Sequence, residues 1–412
     1  MKKHTLGILL LAAACTAAPP DPYGPLPTPG QVRWQRMEMN MFCHFGPNTF
    51  SGAEWGSGAE PEDLFAPSSL DCRQWARTAA AAGFKGIIVT AKHHDGFCLW
   101  PNPESSHTVA RSGAPDVLRE LSAACREYGL GFGVYISPWD RNDPAYGSPE
   151  YNLKYARTLR SVLDGSYGPV FELWFDGACG EGPGGRRQEY DWPLFRSTVR
   201  SLQSGTIMFS DTGPGARWVG NEDGVAPPDE KYVQNGLFLP YECDCRLRPY
   251  NWFFSERDAH TLRPLDNLTA LYDLSVGRGG NLLINIGPDR RGLLPEADAA
   301  RFAEFGAWLA WRFQSPHPAT VTREENGVSL STGSAVYPHT LVLCEALAEG
   351  QQIEGFKVFY DCGAPVLLCE GAAVGHKRIL SLPPVLLDGS RRLKIEITAP
   401  RGAACLKSVS IY

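Results

Sequence analysis

Stretches typical of buried strands alternate with stretches typical of amphipathic helices between residues 41 and 309, and this alternation restricts the possible folds most strongly. Residues 86–91 are apolar and rich in β-branched side chains, as in a strand that is covered on both faces. Helices are predicted to begin after Asp71, after Asp116 and at Pro149. Because no glycine-rich nucleotide loop follows the first strand, this α/β pattern predicts a (β/α)8-like barrel and not an open doubly wound sheet.

The pattern changes in the last part of the chain. Leu393, Ile395 and Ile397 alternate with polar residues, and short segments of this kind are separated by glycine and proline. Such alternation is typical of antiparallel strands that are covered on one face. We therefore predict a catalytic barrel over residues 31–315 and a small C-terminal antiparallel β-sandwich over residues 316–412.

The first thirty residues have the composition of a targeting segment. Lys2 and Lys3 precede an apolar stretch, residues 5–14, that is too short to span a bilayer. We predict a signal peptide over residues 1–14, a proline-rich tether over residues 15–30 and export of the protein. Because Cys15 follows small residues, as the modified cysteine of a bacterial lipoprotein does, we predict a lipid anchor at Cys15 and a place in the periplasm or on the outer membrane of a bacterium.

Charge and cysteine content exclude several classes of function. The net charge is -6 and no long basic run occurs, which argues against a nucleic-acid partner because phosphate contacts need clustered Lys and Arg. The twelve cysteines include no Cys-x-x-Cys pair, so neither a disulfide framework nor a structural zinc site is predicted.

Acidic and histidine side chains occur where predicted strands end. Since the carboxyl ends of parallel barrel strands meet at one face, these residues are expected to converge on one pocket. They are His44, His93, His94, Asp95, Asp140, Asp176, Asp211 and Glu242.

The adjacent pair His93 and His94 raises the question of a metal site. Neighbouring residues of a strand point to opposite faces, so two adjacent imidazoles are not expected to bind one ion. Imidazoles at the rim of a pocket can instead form hydrogen bonds to sugar hydroxyl groups. We predict no metal and no other cofactor, and a metal-dependent hydrolase remains an alternative.

Two carboxyl groups are the strongest candidates for the chemistry. Asp176 ends an apolar run and precedes Gly177, so it is either a nucleophile at a strand end or the cap of a turn. Glu222 lies between Gly220 and Gly224, in a predicted exposed loop after the fifth strand, and is either the second catalytic acid or a solvated loop residue. Retaining glycoside hydrolysis needs two carboxyl groups about 5 Å apart, one to attack and one to protonate the leaving oxygen.

Five ordered motifs resemble the family 29 α-L-fucosidases. The resemblance extends from about residue 31 onward, and the last motif resembles the subfamily that prefers α-1,3/1,4-linked fucose. The motifs are His44-Phe45-Gly46, Glu54-Trp55, Lys92-His93-His94-Asp95-Gly96-Phe97, Trp174-Phe175-Asp176-Gly177 and Trp218-Val219-Gly220-Asn221-Glu222.

The resemblance implies a retaining exo-α-L-fucosidase that acts on fucosylated oligosaccharides or glycoconjugates. It implies Asp176 as the nucleophile and Glu222 as the acid/base, with Glu242 as the alternative for the second role. The substrate-binding residues that it implies are His44, Glu54, Trp55, His93, His94, Tyr135, Trp174, Arg217 and Trp252. A non-catalytic lipoprotein that binds fucosylated glycans on the same fold is the competing hypothesis.

Overall fold

The computed structural model describes residues 24–398 and 406–412. The predicted signal peptide, Cys15 and most of the predicted tether lie outside the described residues. Within them, no helix is both long and apolar enough to cross a membrane.

Eight parallel strands close into a barrel, which confirms the predicted fold class. Going round the barrel, the strands follow the order β1, β2, β3, β4, β5, β6, β9, β10, and β7 and β8 form a separate hairpin. The strands are β1 Met39–Cys43, β2 Gly86–Lys92, β3 Gly131–Ile136, β4 Val170–Trp174, β5 Ile207–Ser210, β6 Ala216–Trp218, β7 Val233–Gln234, β8 Leu237–Phe238, β9 Tyr241–Arg246 and β10 Asn281–Asn285.

Helices surround the barrel, and their first turns follow simple capping chemistry. The side chains of Asp71 and Asp116 accept hydrogen bonds from the backbone N–H groups of Gln74 and Arg119, as expected at a helix start. The helices are α1 Pro29–Gln35, α2 Pro47–Ser51, α3 Cys72–Ala81, α4 Val109–Ser112, α5 Val117–Tyr128, α6 Pro149–Leu163, α7 Trp192–Leu202, α8 Leu265–Ser275 and α9 Glu296–Phe313, with 3-10 turns at Glu62–Leu64, Glu256–Asp258 and Leu347–Glu349.

The barrel departs from strict alternation after β5. Only residues 211–215 join β5 to β6, and the connection from β6 to β9 carries the β7–β8 hairpin and no helix. The sequence did not predict β6, which has three residues, or β9, whose Tyr-Glu-Cys-Asp-Cys-Arg sequence is too polar for a typical buried strand. Glu242, predicted at a strand end, is instead the second residue of β9 and is fully buried inside the barrel.

Two antiparallel sheets form the C-terminal part of the chain, in agreement with the predicted sandwich. A five-stranded sheet has the order β11, β12, β17, β14, β15, and a three-stranded sheet has the order β16, β13, β18. Leu330, Leu341 and Ile395 are among the residues of the core that the two sheets share. The strands are β11 Thr320–Glu324, β12 Gly327–Ser331, β13 Thr340–Glu345, β14 Gly355–Asp361, β15 Pro365–Gly371, β16 Arg378–Ser381, β17 Arg392–Thr398 and β18 Leu406–Ile411.

Candidate active site

Asp176 lies two residues beyond the end of β4, and two donors orient its carboxyl group. Oδ2 accepts a hydrogen bond from the Tyr135 hydroxyl at 2.9 Å, and Oδ1 accepts one from the backbone N–H of Ala178 at 2.7 Å. One quarter of the side chain is exposed. Burial raises the pKa of Asp176, and these two hydrogen bonds oppose that shift by favouring the ionised form. The carboxyl group is thus held in one orientation and still reaches the pocket.

Three histidines lie around the ring of Tyr135, whose hydroxyl bonds to this carboxyl group. His44 Nδ1 donates to Asn285 Oδ1 at 2.7 Å, which leaves Nε2 of His44 as an acceptor. His94 Nδ1 lies 2.8 Å from Ser137 Oγ, and its Nε2 lies 3.9 Å from Asp176 Oδ2. The prediction that His93 and His94 point to opposite faces is wrong, because their ring centroids are only 4.1 Å apart. Strand β2 ends at Lys92, so the alternation of a regular strand does not apply to these two residues.

The three imidazoles are neutral at physiological pH. Burial lowers the pKa of His44 and of His94 to about 3, and it lowers the pKa of His93 well below its usual value. A neutral imidazole carries one donor and one acceptor nitrogen. These rings can therefore form hydrogen bonds in both directions to a polyol such as a sugar.

A loop after β9 completes the pocket on the side of β1. The backbone N–H of Trp252 donates to both carboxyl oxygens of Glu54 at 3.1 and 3.2 Å, and the Trp252 ring packs against His44 at 4.9 Å between centroids. Burial raises the pKa of Glu54. Trp55, which is 55% exposed, faces His94 at 5.6 Å between ring centroids. The structure therefore brings Glu54, Trp55 and Trp252 together with the histidines.

Tyr135 and Trp174 form an aromatic layer beside the Asp176 carboxyl group. Their ring centroids are 5.5 Å apart and nearly parallel, and Trp174 stacks on Phe209 at 4.1 Å. The Trp174 indole N–H donates inward, to Oε2 of Glu242 at 3.0 Å. These two aromatic residues are buried and lie directly beside the Asp176 carboxyl group.

Glu222 lies on the loop after β6 and reaches toward the same face. Its side chain is 47% exposed, and its Oε2 lies 3.4 Å from the Arg246 guanidinium at the end of β9. The same guanidinium lies over the Trp252 ring, 5.1 Å from the centroid. Arg246 thus connects Glu222 to the pocket wall.

No group of three or more His, Cys, Asp or Glu side chains among residues 24–398 and 406–412 is arranged to bind a metal ion. The arrangement of donors suits a neutral, hydroxyl-rich ligand, with one carboxylate inside the pocket and one at its rim.

The family comparison agrees with this geometry. The α-L-fucosidase family model matches residues 31–312, more than half of the chain and the whole of the pocket just described. The chain belongs to the α-L-fucosidase family, family 29 of the glycoside hydrolases.

Similar proteins in this glycoside hydrolase family include both plant and bacterial chains. A protein of Oryza sativa subsp. japonica, assigned as an α-L-fucosidase 1, is 38% identical over 91% of this chain and 78% of its own length. A structure from Bacteroides ovatus, assigned as an α-L-fucosidase, has a TM-score of 0.86 and 38% identity over 94% of this chain and 74% of that one. The Ruminococcus gnavus family 29 fucosidase, solved in complex with fucose, has a TM-score of 0.85 and 26% identity over 96% of each chain.

Arg217 is one residue that the family resemblance placed in the pocket and that the structure places elsewhere. Its guanidinium pairs with Glu230, donates to the Lys231 carbonyl at 3.2 Å and lies over the ring of Tyr241. The following residue, Trp218, packs with the aromatic residues inside the barrel. Since neighbouring strand residues point to opposite faces, Arg217 lies on the outer face of β6 and does not line this α-L-fucosidase pocket.

Glu242 is the second correction to the predicted site. It is fully buried inside the barrel, and its Oε2 accepts a hydrogen bond from the Trp174 indole. An acid/base must reach the leaving oxygen and solvent water, so this position does not suit that role in an α-L-fucosidase.

Asp244 is a carboxyl group that the sequence analysis missed. It lies on β9, is almost fully buried and accepts a hydrogen bond from the Trp218 indole at 2.7 Å. Burial raises the pKa of Asp244 to about 7, and the nearby negative charges of Glu222 and Asp176 add to that shift. Arg246 and Asn285 were also missed. A prediction of β9 as an inward-facing strand would have identified Asp244 and Arg246, which are two residues apart.

The Asp244 shift predicts a pH-dependent gain in stability for Asp244→Asn. Because the folded pKa lies above the unfolded one, the wild type loses stability as pH rises from about 4 to about 7, whereas Asn cannot ionise and keeps the acceptor for Trp218. We expect the variant to be more stable at pH 8 by roughly 4 kcal/mol and about equally stable at pH 4. Urea unfolding at both pH values checks this. A difference that is the same at both pH values would show that folding does not raise the pKa of Asp244.

Proposed function

We propose that this chain is a retaining exo-α-L-fucosidase that hydrolyses terminal α-linked L-fucose by double displacement, with a preference for α-1,3/1,4 linkages. The observation that supports this most strongly is the orientation of the Asp176 carboxyl group by Tyr135 and Ala178, beside three neutral histidines. A nucleophile of this kind must be ionised, fixed in direction and open to the sugar.

In the first step the Asp176 carboxylate attacks the anomeric carbon of fucose. Attack from the face opposite the leaving group forms a β-fucosyl ester and breaks the α-glycosidic bond. The Tyr135 hydroxyl and the Ala178 N–H each occupy one carboxyl oxygen, so they restrict rotation of the nucleophile without removing all of its lone pairs.

Glu222 is the proposed acid/base. It gives its proton to the leaving oxygen in the first step and accepts a proton from water in the second. Its half-exposed position at the rim suits both tasks, since it can meet an acceptor sugar or a water molecule. Arg246 holds the side chain from the barrel side and limits the directions in which it can turn.

The remaining pocket residues fit the two kinds of surface that fucose presents. His44, His93 and His94 offer donors and acceptors to its hydroxyl groups, together with Glu54. The Trp252 ring, which packs on His44, offers an apolar face to the C6 methyl group. The fucose complex of the Ruminococcus gnavus relative supports the choice of sugar.

Purified wild type tested on defined glycans checks both the activity and the linkage. We expect release of fucose from α-1,3- and α-1,4-linked trisaccharides with a kcat/KM at least about tenfold above that for an α-1,2-linked trisaccharide. Initial products followed by NMR should be the α-anomer of fucose, since two inversions retain configuration. Faster release from the α-1,2 linkage would refute the preference, and an initial β-anomer would refute the retaining mechanism.

We also propose that the protein is exported and anchored through a lipid on Cys15, on the basis of the sequence of residues 1–15. Labelled palmitate should enter the wild type and not Cys15→Ser in a bacterial host. Equal labelling of both proteins would refute the anchor.

A further inference from the structure

Two carboxyl groups lie inside the barrel, beneath the pocket. Glu172 on β4 and Glu242 on β9 are both fully buried, and β5 and β6 lie between their strands. Each accepts one indole N–H through Oε2. Trp34 donates to Glu172 at 2.6 Å, and Trp174 donates to Glu242 at 3.0 Å.

The other oxygen of each carboxyl group, Oε1, is buried and has no further donor. The side chains of Glu172 and Glu242 face each other within hydrogen-bonding reach, so a hydrogen bond can join them. Two carboxylates can only accept, so this bond needs a proton between them. Once the proton is present, each buried carboxyl group has both an indole and its neighbour as partners, which removes the cost of an unpaired polar group.

The surroundings favour the protonated state. Burial raises the pKa of Glu172 to about 8 and raises the pKa of Glu242 well above its usual value, and the charges of Glu172 and Asp244 add to the shift of Glu242. The groups that face the pair from α1, β4 and β9 are the Trp34 and Trp174 indoles and the Asp244 carboxyl group.

The pair is connected to the nucleophile through aromatic packing. The Trp174 ring, which Glu242 holds, stacks on Tyr135, and the Tyr135 hydroxyl donates to Asp176. Trp174 also precedes Asp176 by two residues on the same segment. A rotation of the indole would therefore displace both the phenol and the backbone that orient the carboxylate.

We propose that Glu172 and Glu242 share a proton and that this proton-bridged pair fixes the Trp174 indole beneath the nucleophile. Glu242 is thus a positioning residue that acts through Trp174, in addition to being unsuited to the acid/base role. The kinetic part of this inference rests on the proposed role of Asp176, whereas the shared proton does not.

The matched variants Glu242→Gln and Glu242→Leu test the positioning role. The Gln amide oxygen can accept from Trp174 and the amide N–H can replace the shared proton toward Glu172, so we expect kcat/KM within about threefold of the wild type. Leu offers neither group, and we expect a loss of at least about tenfold, mainly in kcat. Equal losses in Gln and Leu, with circular dichroism of the wild type preserved, would overturn the proposal.

A double-mutant cycle with Trp174→Phe separates positioning from general damage to the core. If Glu242 acts through the indole, Glu242→Leu should lower kcat/KM by less than about threefold in the Trp174→Phe background. Losses that multiply would show that the two residues act independently and would contradict the proposal.

Infrared spectroscopy tests the proton without relying on activity. At pH 7 the difference spectrum between wild type and Glu242→Gln should contain the carbonyl band of a buried protonated carboxyl group. Absence of the band would overturn the shared proton even if the enzyme is active. Conversely, a band in a protein that releases no fucose would leave the pair intact and refute only the proposed function.

Discussion

Asp176→Ala should lower kcat for an aryl α-L-fucoside by at least about 10⁴-fold, the scale of loss that follows removal of a catalytic nucleophile. The methyl group cannot attack the anomeric carbon, and the Tyr135 hydroxyl and Ala178 N–H lose their acceptor. Steady-state kinetics with a chromogenic fucoside measure the loss. Glu181→Gln is the matched control, because this exposed carboxylate lies five residues further along the same loop, and it should stay within about threefold of wild type.

Azide should restore turnover of Asp176→Ala and yield β-fucosyl azide. The small anion can enter the space that the carboxylate occupied and attack from the same face, so the product keeps the configuration that the enzyme intermediate would have. An α-fucosyl azide, or a variant that retains more than a tenth of wild-type turnover without azide, would exclude Asp176 as the nucleophile.

Glu222→Ala should give the second large effect, and its size should depend on the leaving group. General acid catalysis contributes about 10²- to 10⁴-fold, so we expect a loss of about 10³-fold on an α-1,3-linked glycan. The dinitrophenolate of a dinitrophenyl fucoside can leave without being protonated. Cleavage of that glycosidic bond should therefore be slowed much less. The rates of the phenol burst and of the steady state that follows it report formation and hydrolysis of the fucosyl-enzyme, and both should be measured on each substrate.

Asp223→Ala is the control for Glu222→Ala, because this neighbouring acid lies on the same loop and is also exposed. It should change both rates by less than about threefold. The assignment would be wrong if Glu222→Ala slowed both substrates equally, or if Glu242→Ala showed the leaving-group dependence and Glu222→Ala did not.

The elements that the sequence predicted well are those with local causes. The helix starts at Asp71 and Asp116 follow from side chains that bond to backbone N–H groups three residues ahead. Strand β2 follows from its own β-branched residues. Because these interactions lie within a few residues of each other along the chain, the local sequence alone is enough to predict them.

The errors in the predicted site concern residues whose placement depends on contacts with distant parts of the chain. Strand β9 carries charged residues that only a barrel interior with indole and carboxyl partners can accept, so its local sequence does not indicate a strand. Without β9, neither Asp244 nor Arg246 could be placed. Arg217 directly precedes a motif near the pocket, but its position in the three-residue strand β6 makes its side chain point outward.

The predicted residues that do meet in the pocket come from widely separated segments. Glu54 bonds to Trp252 across 198 positions, and His44 bonds to Asn285 across 241. Parallel barrel strands bring their carboxyl ends to one face, which is why strand-end residues could be predicted to converge. The fold class therefore predicted the location of the site better than it predicted individual contacts.

Trapping of the covalent intermediate tests the central assignment most directly. In a 2-fluoro-fucosyl fluoride, the fluorine at C2 slows both formation and hydrolysis of the covalent intermediate. Because fluoride is a good leaving group, formation is still faster than hydrolysis and the intermediate accumulates. After reaction with the wild type, peptide mass spectrometry should find one fluorofucosyl group, attached to Asp176. Attachment to another residue, or inactivation without any adduct, would contradict the proposed double displacement through Asp176.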